Sequence, residues 1–304
     1  MIEGKAMALN PLRPVTIYGR MIKFSHSVFA LPFALSGAAL AATVSGITVS
    51  QIAWIIVAMV SARSAAMGFN RIADRYIDAA NPRTSKRELP TGLVSVRAAV
   101  TFVLVSAAVL VYAAAQLNTL CLYLSPVALG VVLFYSLTKR FTWMSHVMLG
   151  LSIGLAPLGA WIAVTGGFAL APVVLGVAVL AWVAGFDILY ACQDYEFDTR
   201  TGLHSIPVRF GLKGALLCAR FFHGLAIAAM AAVGYIAALN AIYLAGIVII
   251  AGLLVYEHYI VRPDDLTRVN MAFMTMNSVV SVLYFGFTLA DLLVLGNPLS
   301  LQLN

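Results

Sequence analysis

The sequence predicts an all-α membrane protein, with nine transmembrane helices in two facing bundles around a central cavity open to the cytoplasmic side. Three observations predict it. The 304 residues are 62% hydrophobic and 10% charged, with mean hydropathy +0.95, whereas a soluble domain carries about 25% charged residues. Apolar stretches of about 20 residues recur along the chain, long enough to cross a ~30 Å hydrocarbon core. Basic residues are confined to alternate connections between those stretches. Barrel strands are excluded, because they would be about 10 residues long with strict alternation.

The nine expected spans lie at about 22–45, 50–72, 96–115, 118–137, 145–165, 170–190, 213–237, 239–256 and 272–294. The N-terminal stretch carries Lys5, Arg13, Arg20 and Lys23 and runs straight into the first span, without the pattern of a cleavable leader. With the N-terminus inside, the inside connections are 73–95, 138–144, 191–212 and 257–271. Of the 19 Lys and Arg residues, all but Arg63 fall in these segments or within a turn or two of them. The outside connections near 46–49, 116–118, 166–169 and 238–240 carry none. This is the positive-inside pattern. It implies a multi-pass protein of the inner (cytoplasmic) membrane, with the N-terminus and active site cytoplasmic and the C-terminus outside. It also assigns the net charge of +7 to topology rather than to nucleic acid. Cys121, Cys192 and Cys218 lie in or near apolar spans without metal or redox spacing, as small buried hydrophobes do.

Two acidic clusters end apolar helices on the predicted cytoplasmic side. The first is Asn70-x3-Asp74-x3-Asp78, and the second is Asp187-x2-Tyr190-x3-Asp194-x3-Asp198. Residues at i, i+4 and i+8 line one helix face, so each cluster aims its carboxylates one way. Grouped carboxylates repel unless a positive charge lies between them. Hard oxygen ligands suit Mg2+, which commonly bridges carboxylates to a substrate's phosphates. The clusters therefore predict a Mg2+-diphosphate site at a membrane surface. Each cluster leads through basic residues to Pro and Gly: Arg83, Lys86, Arg87, Pro90 and Gly92 after the first, Arg200, Gly202, Pro207 and Gly211 after the second. This reads as a divergent internal repeat within one integral membrane domain, 1–304, with halves of roughly 1–140 and 141–304 and a site at their interface.

These motifs resemble the UbiA superfamily of intramembrane aromatic prenyltransferases. Asn70-Arg71-x2-Asp74-Arg75-x2-Asp78, followed by Arg83-Thr84-x2-Arg87-x-Leu89-Pro90-x-Gly92, is similar to its first signature. Asp187-x2-Tyr190-x3-Asp194-x3-Asp198, followed by Gly202-x2-Ser205-x-Pro207, is similar to its second. Tyr135-x3-Lys139-Arg140-x-Thr142 resembles the basic loop of 4-hydroxybenzoate polyprenyltransferases. The opening Lys23-Phe24-Ser25-His26-x2-Phe29-Ala30-Leu31-Pro32-Phe33 and the late Asn277-Ser278-x2-Ser281 look more like the menaquinone (futalosine) branch. Arg71 stands where many members carry a third acid, and His204 where many carry Lys.

The resemblance implies transfer of a polyprenyl group from its diphosphate to the ring of a small aromatic carboxylic acid, in menaquinone or ubiquinone biosynthesis. Two Mg2+ ions held by Asn70, Asp74, Asp78, Asp194 and Asp198 would neutralise the leaving group. Arg83, Arg87, Lys139, Arg140 and His204 are the expected diphosphate contacts. Aromatic faces such as Phe69, Tyr135 and Tyr190 would stabilise an allylic cation, and Asp187 is the candidate base. Arg63, two turns into the membrane, is a functional candidate by default. It is expected to bind the acceptor's carboxylate, with Arg140 as rival.

Other readings predict other features. A CDP-alcohol phosphotransferase needs one contiguous Asp-rich motif, which is missing. A non-enzymatic ion-coupled transporter needs charges near the midplane and broken helices there. Haem, chlorophyllide or glycerol lipid remain alternative acceptors within the superfamily. His146, His223 and His258 are expected to be peripheral, and His26 a hydrogen-bonded interior residue. Glu196, Asp264, Asp265 and Asp291 are expected to be surface charges.

Overall fold

The computed structural model describes residues 13–23, 27, 29–296 and 301–302. The described elements are helices apart from a two-residue parallel pairing of β1 (Ile47–Thr48) with β2 (Leu301–Gln302) and an isolated bridge between Arg262 and Asp265. Eight helical segments are long and apolar enough to cross a membrane. They are built from α3 (Val49–Ala73), α5 (Val96–Leu117), α6 (Thr119–Thr138), α7 (Ser145–Thr165), α8 (Leu170–Ala191), α10 (Ile206–Ile236), α11 (Ala241–Ile260) and the continuous stretch Val269–Val294, which holds α12 (Val269–Met271) and α13 (Asn277–Val294). Short helices α4 (Arg75–Ala80) and α9 (Tyr195–Thr201) follow α3 and α8.

The expected first span differs. In place of one helix over 22–45 there are α1 (Arg13–Met21) and the 15-residue α2 (Leu31–Ser45). Pro32 sits in the first turn of α2, where its missing N–H and fixed φ suit a helix start. Fifteen residues rise about 22 Å, short of the ~30 Å core. His26 lies outside the described residues.

Helix starts follow local chemistry. Thr48 opens α3 with a capping box: its hydroxyl accepts from Gln51 N at 3.0 Å, and Gln51 Oε1 accepts from Thr48 N at 2.9 Å. Ser95, Asn118 and Ser205 accept from the first-turn amides of α5, α6 and α10 in the same way.

The centre of the core is α8, packed between α7 and α10. Its Leu175, Trp182 and Ile188 are wholly buried. The α7–α8 crossing depends on glycine. A Cβ on Gly154 would lie 2.5 Å from the carbonyl oxygen of Gly176, so only a bare backbone fits. Close helix approach through small residues is how spans pack where lipid is as apolar as leucine.

Asp291 is not a surface charge. It is fully buried and accepts from Asn240 N at 2.8 Å and Tyr243 N at 3.0 Å. Those amides open α11 and have no intrahelical partner, which is why an anion belongs there. Glu196, Asp264 and Asp265 are exposed as expected. His223 is also buried, with Nδ1 3.0 Å from His258 Nε2. Beside it Glu257, fully buried, accepts from Asn277 Nδ2 at 3.0 Å. A polar side chain inside a helical bundle needs such partners, and sequence periodicity does not reveal them.

Candidate active site

Both acidic clusters straddle a helix break. α3 gives way to α4 at Asp74 (φ −91°, ψ 7°), and α8 gives way to α9 through a 3-10 turn, Cys192–Asp194, ending at Asp194 (φ −96°, ψ 3°). Each aspartate occupies the sparsely populated bridge region, common at active-site residues. The four-residue spacing survives the first break: Asp74 N donates to Asn70 O at 2.9 Å, and Asp78 N to Asp74 O at 2.7 Å. Asn70 Nδ2 also donates to Asp74 Oδ2 at 3.0 Å.

The fold brings the two clusters together through basic side chains. Arg83, in the loop after the first cluster, forks onto Asp194 of the second, Nε to Oδ1 at 2.9 Å and Nη2 to Oδ2 at 2.6 Å. Its Nη1 donates to Tyr190 Oη at 3.0 Å. Asn81 Nδ2 reaches the same Asp194 at 3.1 Å. Arg87 Nη1 lies 2.7 Å from Asp78 Oδ1, Arg140 Nη2 2.9 Å from Asp74 Oδ1, and Lys139 Nζ 2.8 Å from Asp198 Oδ2. Asp198 is buried, and Lys139 is its ion-pair partner.

Among the described residues, no three Asp, Glu, His or Cys side chains already converge as metal ligands. The donor set nevertheless fits a hard divalent cation: every donor is oxygen, and each of the four carboxylates faces a cationic side chain, the charge a metal ion would supply in its place. Burial pushes the Asp74 carboxyl above the usual range, Asp78 adds to this, and Arg140 opposes it.

A cavity of about 390 Å³ lies beside these pairs. It is lined by Arg20, Lys23, Arg71, Arg83, Lys86, Arg87 and Glu88, with Tyr190 and Asn270. Arg20, Lys23, Arg71 and Lys86 are not among the site residues expected from the sequence. Burial and the nearby Arg71, Arg87, Arg83 and Arg63 lower the Lys23 ammonium to about 8. Lys23 has positive φ (47°), uncommon for a residue with a side chain.

A second cavity, about 220 Å³ and almost wholly apolar, lies among α2, α3, α5, α6 and α7. Arg63 and Tyr135 line it, together with residues as far along as Leu117, Cys121 and Ala163. Arg63 Nε is buried and has no hydrogen-bond partner, while its Nη2 lies 3.5 Å from Lys23 O. The basic and apolar cavities therefore adjoin at Lys23 and Arg63.

Tyr190 sits between Arg83 and the Phe273 ring, 4.2 Å from the latter. Phe69 is half-buried. The His204 side chain is exposed, and only its backbone N–H reaches the site, donating to Lys139 O at 2.9 Å. Asp187 pairs with His146, Oδ2 to Nδ1 at 2.7 Å. His146, expected to be peripheral, is buried.

The pattern of the UbiA prenyltransferase family matches residues 30–279. The chain belongs to that family. It is an aromatic prenyltransferase, and curated relatives agree. The 4-hydroxybenzoate octaprenyltransferase of Tolumonas auensis is 32% identical over 231 residues, covering 75% of this chain and 79% of the relative. That of Nitrosospira multiformis is 33% identical over 230 residues, covering 75% and 78%. The apo structure of a UbiA homologue from Aeropyrum pernix K1 matches with TM-score 0.80 at 34% identity, covering 88% of this chain and 98% of the homologue. A UbiA homologue from Archaeoglobus fulgidus bound to DMAPP and Mg2+ shares the fold at TM-score 0.69 and 21% identity, covering 91% and 99%.

Proposed function

We propose that the enzyme transfers a polyprenyl group from polyprenyl diphosphate to the ring of a small aromatic acid, in a Mg2+-dependent step of quinone biosynthesis. The observation that carries this reading is the junction of a basic cavity with an apolar one at Lys23 and Arg63. Such a junction suits a substrate with a polyanionic head and a hydrocarbon tail. The named 4-hydroxybenzoate relatives and the neighbour bound to DMAPP and Mg2+ support it.

Asn70, Asp74, Asp78, Asp194 and Asp198 would hold Mg2+, with two ions expected; when bound, the metal would neutralise the departing diphosphate. Arg83, Arg87, Lys139 and Arg140 bind the diphosphate, exchanging carboxylate partners for phosphate oxygens. His204 takes part only through its neighbourhood to Lys139. Tyr190 and Tyr135 present ring faces to the allylic carbon. Arg63 binds the acceptor's carboxylate. Its buried Nε lacks a partner, whereas the rival Arg140 is engaged by Asp74 and has 41% of its side chain exposed. An acceptor without the carboxylate leaves Arg63 unpaired, which gives large discrimination. Asp187 takes the ring proton.

The basic connections support a site on the cytoplasmic side of the inner membrane. On that topology α2 is the ninth crossing, its short rise matched by local thinning of the bilayer, and the C-terminus lies outside. The two halves, roughly 1–140 and 141–304, each contribute one Asp-centred helix break to the site between them.

Purified protein is incubated with Mg2+, a polyprenyl diphosphate and either 4-hydroxybenzoate or 1,4-dihydroxy-6-naphthoate, and products are read by mass spectrometry. Prenylated product that is lost in Asp74→Ala and Asp194→Ala is expected, and the ring accepted names the quinone pathway. No product with either ring overturns the aromatic-acid assignment.

A further inference from the structure

His146 is locked at both ring nitrogens. Nδ1 lies 2.7 Å from Asp187 Oδ2, and Nε2 accepts from Ile206 N at 3.4 Å. Ile206 N is a first-turn amide of α10 with no intrahelical partner. An amide can only donate, so Nε2 carries the lone pair and the ring proton sits on Nδ1, directed at Asp187. His146 lies in the first turn of α7, so this single ring ties α7, α8 and α10 together. The His146 side chain is 4% exposed and that of Asp187 is 22% exposed. The imidazole is therefore the buried backing of a carboxylate that remains open on one edge.

We propose that His146 is a positioning residue for Asp187. It holds Oδ2 by a directed N–H, so that Oδ1 faces the acceptor as the proton-accepting oxygen. This rests on the reading of Asp187 as the ring-proton base. Oδ1 takes the proton that leaves the ring, which turns the carboxylate into a neutral carboxylic acid, while the imidazole keeps its Nδ1 proton through the step. A base fixed by a second group, with the tautomer set by a third, is a recurring arrangement in acid–base sites. A glutamine at 146 can reproduce both bonds, since its amide donates on one side and accepts on the other. A methionine of similar length can make neither.

The test uses the intact enzyme in detergent with Mg2+, geranyl diphosphate and the acceptor ring the wild type prenylates. It measures kcat and, separately, the Kd for geranyl diphosphate. His146→Gln is expected to keep kcat within about threefold. His146→Met is expected to lose roughly 100-fold in kcat with Kd unchanged. Full activity in His146→Met overturns the proposal. So does a fall in His146→Gln as large as that in His146→Met. If His146→Met no longer binds geranyl diphosphate and so has not folded, His146→Gln decides alone: near-wild-type kcat supports the role, and a roughly 100-fold loss with intact binding overturns it. Asp187→Asn separates the two readings. If it stays active, the base assignment itself fails. If it is inactive while His146→Met is active, only the positioning role fails.

Discussion

Lys139 and Arg140 are adjacent in the chain and reach opposite acidic clusters, Lys139 pairing with Asp198 at 2.8 Å and Arg140 with Asp74 at 2.9 Å. One dipeptide at the end of α6 thus stitches together carboxylates more than 100 residues apart in sequence. Exchanging these partners for phosphate would couple both halves of the site to one ligand.

Arg83→Lys tests the fork on Asp194. Lysine supplies a point charge and cannot make the paired Nε and Nη2 bonds or the third to Tyr190. Affinity for prenyl diphosphate is expected to fall roughly tenfold, with thermal stability little changed because the pair is partly exposed. Isothermal titration with geranyl diphosphate measures it, and unchanged affinity would show that the fork is not carried into the bound state.

The lowered Lys23 makes a pH prediction. Its folded value, about 8, lies below the ordinary lysine value of 10.5, so the fold disfavours the charged form. Between those values the unfolded chain binds more protons, and stability contributed by this group rises with pH. Diphosphate binding runs the other way, because an anion needs the ammonium. Affinity should weaken severalfold from pH 7 to 9 in the wild type. In Lys23→Gln it should be weaker at pH 7 and flat across that range. A parallel pH dependence in both proteins would remove Lys23 from the site.

Gly154→Val tests the α7–α8 crossing. The added Cβ meets the carbonyl of Gly176, which is backbone and cannot swing away. The substitution should cost about 1–3 kcal/mol by overpacking, seen as a lower melting temperature in detergent. A melting temperature equal to wild type would mean the helices separate freely.

Asp291→Ala removes the acceptor of two buried amides at the start of α11. A loss of about 1–3 kcal/mol is expected, with kcat per folded molecule unchanged, because Asp291 is not among the residues that form the site. Chemical denaturation and single-turnover rates on the folded fraction check the two halves of this statement.

Much of the site was legible. Asp74, Asp78, Asp194 and Asp198 stand at helical spacing in a chain with few charges, and carboxylates so placed need a partner. The partners themselves were less legible. Periodicity says which residues share a helix face, but not which faces meet, so Arg83 reaching Asp194 and Lys139 reaching Asp198 could only be guessed as phosphate contacts. Arg20 and Lys86 were hidden in a positive-inside pattern that already explained them, and Arg71 stood out only as a departure from the first signature. His146 and Asp291 were missed for one reason: a lone polar residue in an apolar span gives no pattern, and its meaning depends on an unpaired amide or carboxylate contributed by another helix. The first span begins later than expected: the described helix starts at Leu31, where Pro32 suits the first turn.

The basic cavity has a charge count with its own implication. Arg83 and Arg87 are cancelled by Asp194 and Asp78. Of the remaining lining residues, Arg20, Lys23, Arg71 and Lys86 stand against Glu88 alone, four positive charges less one negative, a surplus of three. An alkyl diphosphate carries roughly two to three negative charges near neutral pH. At a bilayer surface the same surplus attracts anionic headgroups over about a Debye length. If the cavity takes a prenyl diphosphate head, anionic headgroups of the surrounding lipid would compete for the same surplus, and affinity for the diphosphate should fall as the share of anionic lipid rises.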